Sequence, residues 1–131
     1  MLLNHLSKYL ESVERAIRKL EGAYVERYEE EILTVNRINL RIRIRFQTGH
    51  VLELNEAIIG KKNQIMHIGY RYHFQDRNNS VGFRYDNTPH FQELDTYPHH
   101  KHLSERVIAV ERPTIIDVIE EATLLAGETS V

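Results

Sequence analysis

Strict alternation of apolar and polar residues in segment 37–47 constrains this chain more than any other feature of its sequence. The apolar positions are Ile38, Leu40, Ile42, Ile44 and Phe46. A period of two predicts a β-strand with one face in a core and the other face polar. Because a lone strand cannot bury its apolar face, we expect partner strands and a covering layer.

Partner strands are predicted on both sides of this segment. Residues 48–50 form a short turn, and residues 51–59 return as the second strand of a hairpin. Residues 64–75 and 81–86 alternate in the same way and are joined by a polar turn. Residues 24–33 are a further candidate strand, although their Glu-rich centre also allows a helix. A meander of about five antiparallel strands is the natural interpretation.

The covering layer is predicted at the two ends of the chain. Apolar residues recur at three- and four-residue steps from Leu3 to Leu20, ahead of Gly22. A second such pattern follows Pro113 and ends near Gly127. The expected fold class is therefore α+β. A single domain of residues 1–131 packs an N-terminal and a C-terminal amphipathic helix on one face of a single antiparallel sheet.

Composition excludes several classes of protein. The 131 residues include no cysteine, which excludes disulfide frameworks, thiolate metal sites and thiol nucleophiles. A net charge of −2 argues against a strongly basic protein that coats nucleic acid. The N-terminal segment has no continuous hydrophobic stretch, so we expect a cytoplasmic protein without a membrane partner.

A row of arginines on the polar face of segment 37–47 is the first candidate site. Arg41, Arg43 and Arg45 follow one another at every second position, a spacing of about 6.6 Å along a strand. Together with Arg71 on a later strand, this spacing suits guanidinium contacts to the phosphates of RNA. Alternatively, these charges pair with the glutamates at positions 29, 31 and 53 and form only a solvated sheet face.

A second candidate site joins His73 to Arg84 and Asp86, which face the same way on the next predicted strand. A carboxylate beside an imidazole fixes its tautomer and raises its basicity, and a nearby guanidinium stabilises an oxyanion. An ion pair between Arg84 and Asp86 without chemistry is the alternative interpretation.

The segment that follows is unusually rich in imidazole. Its histidines are His90, His99, His100 and His102, with Lys101 among them. Imidazole titrates near neutral pH, so two of these can act as base and acid in phosphoryl or acyl transfer. A metal site competes with this interpretation, because His100 and His102 offer two ligands for zinc or another divalent ion. His90 or Asp86 would supply the third ligand, and a structural or oligomeric role is a further alternative.

The chain contains three motifs in a fixed order, YRYHFQD at 70–76, FRYDNTPH at 83–90 and YPHHKH at 97–102. They resemble the signature of the TumE family, small toxins of bacterial and archaeal two-gene toxin–antitoxin modules. The resemblance implies a growth-inhibiting protein neutralised by a partner, usually a helix-turn-helix antitoxin encoded immediately downstream. The matching positions are Tyr72, His73, Arg84, Tyr85, Asp86, Pro89, His90, Pro98, His99, His100, Lys101 and His102. Thr88 departs from the family pattern, which leads us to expect a small residue such as Ala there.

Together these features predict the toxin of a type II toxin–antitoxin system. We expect a metal-independent endoribonuclease that uses His, Lys and Arg acid–base chemistry and needs no cofactor. The predicted catalytic residues are His73, Arg84, Asp86, His90, His100, Lys101 and His102. The predicted substrate-binding residues are Arg41, Arg43, Arg45 and Arg71.

The expected partners are an RNA substrate and a helix-turn-helix antitoxin, and a homodimer is also allowed. Leu124 and Val131 are candidate apolar contacts for the antitoxin. Two alternatives stay open at this point. One is a growth-inhibiting binding protein without catalysis, and the other is a nuclease with a divalent metal on His90, His100 and His102.

Overall fold

The computed structural model describes residues 2–128. Within them the elements follow one another as α1 (Asn4–Arg18), β1 (Ala23–Thr34), β2 (Arg37–Phe46), β3 (Val51–Lys61), β4 (Gln64–Gln75), β5 (Val81–Asp86), β6 (His100–His102), β7 (Val107–Ala109) and α2 (Ile115–Glu128). Each strand pairs antiparallel with the next one in the chain, so the sheet has the order β1 to β7. The predicted α+β class, with one antiparallel sheet and a helix at each end, is confirmed.

The sheet differs from the expectation in its number of strands, which is seven within the described residues. β1 is a strand, not the helix that its Glu-rich centre also allowed. β6 and β7 have three residues each, too few for an alternating pattern to stand out in the sequence. They form because β6 extends the hydrogen-bonded edge of β5.

The hydrophobic core lies between the helices and one face of the sheet. α1 buries the apolar stripe that its three- and four-residue spacing predicts, namely Leu6, Leu10, Val13 and Ile17. The alternating apolar residues of β2 are buried in the same cluster, together with Tyr72 and Phe74 of β4. α2 adds Ile115, Val118, Ile119, Ala122 and Ala126. The opposite face of the sheet, which we call the open face, therefore carries most of the polar residues of the strands. The first half of β4 is an exception, because a bulge against β3 leaves Met66 and Ile68 exposed and buries the side chain of His67.

Of the two residues predicted to contact an antitoxin, Leu124 lies on the outer side of the helical layer. Leu124 is 68% exposed and borders a cleft of about 770 Å³ between α1 and α2. Val131 lies outside the described residues. Neither helix in the described part of the chain is long and apolar enough to cross a membrane.

A buried carboxylate ties α1 to the middle of the sheet. Glu56 of β3 is 3% exposed and accepts hydrogen bonds from the hydroxyls of Tyr9 (2.6 Å) and Tyr72. Nε2 of His67 lies 3.0 Å from Oε2 of Glu56, the same oxygen that accepts from Tyr72, and Arg112 donates to the Tyr72 hydroxyl at 3.3 Å. Burial alone would raise the pKa of the Glu56 carboxyl, but the hydrogen bonds from His67 and the two tyrosines hold that pKa below its usual range. Glu56 is therefore buried as a carboxylate with its acceptors satisfied.

Replacing this carboxylate by an amide, Glu56→Gln, should lower the free energy of unfolding by about 2–4 kcal/mol at pH 7. The reason is that an amide has one acceptor oxygen, whereas the carboxylate accepts hydrogen bonds with both of its oxygens. The pKa of Glu56 is lower in the folded state than in the unfolded chain. The carboxylate therefore stabilises the fold at any pH above its unfolded-state pKa, and this stabilisation is lost as the pH falls through the folded-state pKa. The difference between wild type and variant should therefore shrink on acidification below about pH 4.3. Urea unfolding across this range measures it.

Glu11→Gln, on the exposed side of α1, is the matched control. It should change the free energy of unfolding by less than about 0.5 kcal/mol. A Glu56→Gln variant with wild-type stability at neutral pH would contradict the role given to the buried carboxylate.

Candidate functional site on the open face

Two rows of side chains cross the open face at right angles to the strands. In the first row, successive register partners are Arg41, Asn55, Arg71, Asp86 and His100. In the second row they are Arg43, Glu53, His73, Arg84 and His102. Directly opposed residues share a face and neighbouring strands are about 4.8 Å apart, so residues distant in sequence become neighbours.

Where the two rows cross β5 and β6, four side chains form what we call the histidine pocket: Arg84, Asp86, His100 and His102. Nε of Arg84 donates to Oδ2 of Asp86 at 3.0 Å, and a terminal nitrogen of Arg84 donates to Nε2 of His102 at 3.1 Å. Nε2 of His102 lies 3.6 Å from the same Asp86 oxygen. The predicted closeness of His and carboxylate is therefore present, although the partners of Asp86 come from β6 and not from His73.

His100 is held in one orientation at the bottom of the pocket, where it is 1% exposed. Its Nδ1 lies 2.9 Å from the backbone oxygen of Pro98, and because a carbonyl oxygen only accepts, Nδ1 carries a proton. Its Nε2 lies 2.8 Å from Oδ1 of Asp86, but the angle is not that of a hydrogen bond, and no other described group satisfies this buried nitrogen.

Phe91 closes the pocket from the loop between β5 and β6. Its ring centroid lies 5.0 Å from that of His100 and 5.7 Å from that of His102. The backbone of Phe91 has φ of +56°, a left-handed conformation that costs a side-chain-bearing residue about 1–2 kcal/mol. The loop therefore accepts local strain where the Phe91 ring packs against the two imidazoles.

The electrostatics of the pocket favour a carboxylate beside a neutral imidazole. Burial alone would raise the pKa of Asp86, but hydrogen bonds from Thr88 and the charges of His100 and Arg84 hold it below the usual range. Burial and the charge of Arg84 lower the pKa of His102. The lowered pKa favours the neutral ring of His102, whose Nε2 accepts the hydrogen bond from Arg84.

The four arginines predicted to bind substrate fall into two classes. Glu26 binds both Arg43 and Arg45, each at 2.8 Å, and Arg43 also pairs with Glu53. Hydrogen bonds from Arg45 and Arg43 lower the pKa of Glu26, as expected for a carboxylate shared by two cations. The alternative of cross-strand ion pairs thus holds for these two, although Glu26 was not among the glutamates expected to pair.

Arg41 and Arg71 form the second class. Both are exposed, and neither has an ion pair or a hydrogen bond to another side chain in the described part of the chain. They border a shallow hollow of about 480 Å³ on the open face, which Asn39 and Asn55 also line. Arg41 faces Glu29, whose pKa is lowered by a hydrogen bond from Arg27 and also by the charge of Arg41. No side-chain hydrogen bond in the described residues holds either guanidinium, so both can turn to an external anion.

The remaining predicted catalytic residues lie at or beyond the margin of the pocket. His73 faces Arg84 in the second row and bonds Gln75 at 3.1 Å. His90 is exposed and its ring contacts that of Phe91 at 6.3 Å. Lys101 points to the helix side, where its Nζ lies 2.7 Å from Glu121 and 4.7 Å from the centroid of Tyr85. The structure thus separates Lys101 from the histidines beside it.

Sequence reasoning missed two participants, the ring of Phe91 and the carbonyl of Pro98. Neither could be recognised from the type of residue. Every residue has a backbone carbonyl, and the position of the Phe91 ring depends on the left-handed backbone of its loop. The proline-rich context of the histidines was the available signal, because it indicated an irregular loop able to fold back.

The opposite orientation of Lys101 can be checked by a double-mutant cycle with Glu121. Lys101→Ala alone should cost about 1 kcal/mol, since the pair is partly screened by solvent. The coupling energy with Glu121→Ala should be about 0.5–1.5 kcal/mol in urea unfolding. The same cycle with Lys61, which has no ion pair in the described residues, should give no coupling energy. A coupling energy of zero between Lys101 and Glu121 would refute the contact.

Comparison with known proteins gives one match. The family model described as toxin TumE matches residues 13–124, nearly the whole chain and all of the residues placed in the site above. No curated protein and no solved structure matches the chain. Because the matched region includes the open face, the histidine pocket and most of α2, the chain belongs to the TumE toxin family.

Proposed function

We propose that this toxin inhibits growth by cleaving RNA at the histidine pocket. Family membership supports a toxin of a toxin–antitoxin system and an antitoxin partner. The observation that carries the nuclease proposal is the convergence of Asp86, His100 and His102 next to Arg84. Arg41 and Arg71, which have no side-chain hydrogen bond among residues 2–128, lie in the same row as Asp86 and would give the pocket an adjoining anion-binding surface.

Arg71 and Arg41 are the groups that would hold the RNA backbone. Arg71 is the register partner of Asp86, and Arg41 lies two strands further along the first row, about 10 Å away. A strand of RNA bound to both would cross the β-strands and lead directly into the pocket. Arg43 and Arg45 would contribute only after release from Glu26, so their predicted role in binding is secondary.

The reaction that suits the pocket is attack by the ribose 2′-oxygen on the adjacent phosphorus. The 2′-hydroxyl passes its proton to solvent water, a bond forms between the 2′-oxygen and phosphorus, and the bond from phosphorus to the 5′-oxygen breaks as that oxygen takes a proton from water. The products are a 2′,3′-cyclic phosphate and a 5′-hydroxyl. Arg84 is placed to compensate the charge on the pentavalent phosphorus, and proton transfer contributes typically about 10²–10⁴-fold.

The antitoxin is the second partner in this proposal. We infer a helix-turn-helix protein, as the family resemblance suggests, that blocks growth inhibition by covering part of the toxin. Cleavage by the free toxin and protection by the antitoxin are separate properties, so the RNA assay is best made on the toxin alone.

Arg71→Ala and Arg41→Ala should each reduce RNA cleavage by about 10- to 100-fold, because each removes charge-assisted contacts to phosphate. Arg18→Ala, which removes the same charge from the exposed side of α1, is the control and should cleave like wild type. The assay uses purified toxin and labelled RNA, both with divalent ions and with EDTA, so that either route of activation is detected. Cyclic-phosphate ends on the fragments are the expected product.

Two results would count against the proposal. Growth arrest with intact RNA in every condition would favour a binding protein that blocks its target without cleavage. Equal loss of cleavage in Arg18→Ala and Arg71→Ala would show that overall charge, and not the open face, governs RNA binding.

A further inference from the structure

We propose that Asp86, His100 and His102 form a binding site for a divalent first-row transition-metal ion. The ion's role in RNA cleavage rests on the proposed function, whereas binding of the ion can be tested without RNA. One ligand atom from each of the three residues lies within 4.8 Å of the other two. Such a set of two imidazoles and one carboxylate is a common protein site for these ions.

The unsatisfied nitrogen of His100 is the observation that points to a cation. Nδ1 of this ring is held by the Pro98 carbonyl, and Nε2 points at the carboxylate of Asp86 from 2.8 Å without making a hydrogen bond. A buried ring nitrogen without a hydrogen-bond partner is costly. A metal ion bound by Nε2 and the carboxylate would give this nitrogen a partner.

The groups behind the ligands have the arrangement that metal sites require. A ligating histidine usually donates its second ring nitrogen to a backbone carbonyl or carboxylate, as His100 does to Pro98. The backbone N–H of Thr88 donates to Oδ1 of Asp86 at 3.1 Å and so fixes the carboxylate. These contacts orient the ligands before any ion arrives.

Arg84 shows that the pocket selects positive charge. Its guanidinium donates to Oδ2 of Asp86 and to Nε2 of His102, two of the acceptors that a cation would take. Its side chain is 29% exposed and reaches the pocket from the solvent side, so it can turn towards a bound phosphate when an ion takes its place.

A metal accounts for activation of the nucleophile better than the metal-free route expected from the sequence. Nε2 of His100 is too deeply buried to reach a ribose hydroxyl, and Nε2 of His102 already accepts a hydrogen bond from Arg84. A divalent ion supplies Lewis-acid chemistry that lowers the pKa of a bound hydroxyl. The imidazoles favour Zn²⁺, Fe²⁺ or Co²⁺ over Mg²⁺, Ca²⁺ and Mn²⁺, which suit oxygen ligands better.

His90 provides a matched control. The sequence offered it as a third ligand, but it is exposed and lies outside the cluster formed by Asp86 with the other two histidines. Removing His90 deletes one imidazole from the same segment and leaves the proposed ligand set complete.

The test is titration of metal-stripped protein with Co²⁺, followed by calorimetry and visible absorption. Wild type and His90→Ala should bind one equivalent with the same affinity. His102→Ala and Asp86→Asn should bind at least about 100-fold more weakly, since loss of an outer contact alone typically costs 10–100-fold. Circular dichroism identifies any variant that fails to fold, and the part-exposed His102 is the safer substitution.

The outcomes separate this inference from the proposed function. No Co²⁺ binding to folded wild type, or unchanged binding by folded His102→Ala, overturns the metal site, and RNA cleavage in EDTA would then leave the proposed function standing. Tight, His102-dependent binding without any RNA cleavage by the loaded protein would support the site and reject the nuclease.

Discussion

The hydrogen-bonded register of the antiparallel sheet is the constraint on which the site depends. It places Asp86 of β5 opposite His100 of β6 and beside Arg71 of β4. Because side chains alternate with a period of two, a slip of one residue between β5 and β6 would turn both histidines towards the helices and bring Lys101 to the open face. The chemistry of the pocket is thus fixed by backbone pairing.

Both helices cover the same face of the sheet, and this leaves the other face free for polar groups. The free face is not uniformly charged. Glu26 neutralises Arg43 and Arg45 near one end, while Arg41 and Arg71 keep their charge in the row that leads to Asp86. Such local selection lets a chain with a net charge of −2 offer a cationic path to a phosphate.

Much of this arrangement could be predicted from the sequence because it is local. Alternation in β2 and in the second half of β4 identified which residues face outwards, and spacing identified both helices. In the first half of β4 the alternation was wrong, because a bulge against β3 shifts the register, so that the side chain of His67 is buried beside Glu56 while Met66 and Ile68 are exposed. The pairing of Glu26 could not be predicted, because it follows from a bulge between Val25 and Arg27. The separation of Lys101 from its neighbours was implicit in an extended HKH segment, but the pairing of β6 with β5 was needed to say which face each side chain takes.

The central claim is that the first row and the histidine pocket form one surface for RNA. A crystal structure of the toxin with an RNA whose ribose 2′-hydroxyls are replaced by hydrogen, so that it cannot react by the proposed route, tests this most directly. The account predicts phosphates on Arg41 and Arg71 and one further phosphate at Arg84, with RNA crossing the strands. RNA bound along the helices, or none on the open face, would contradict it.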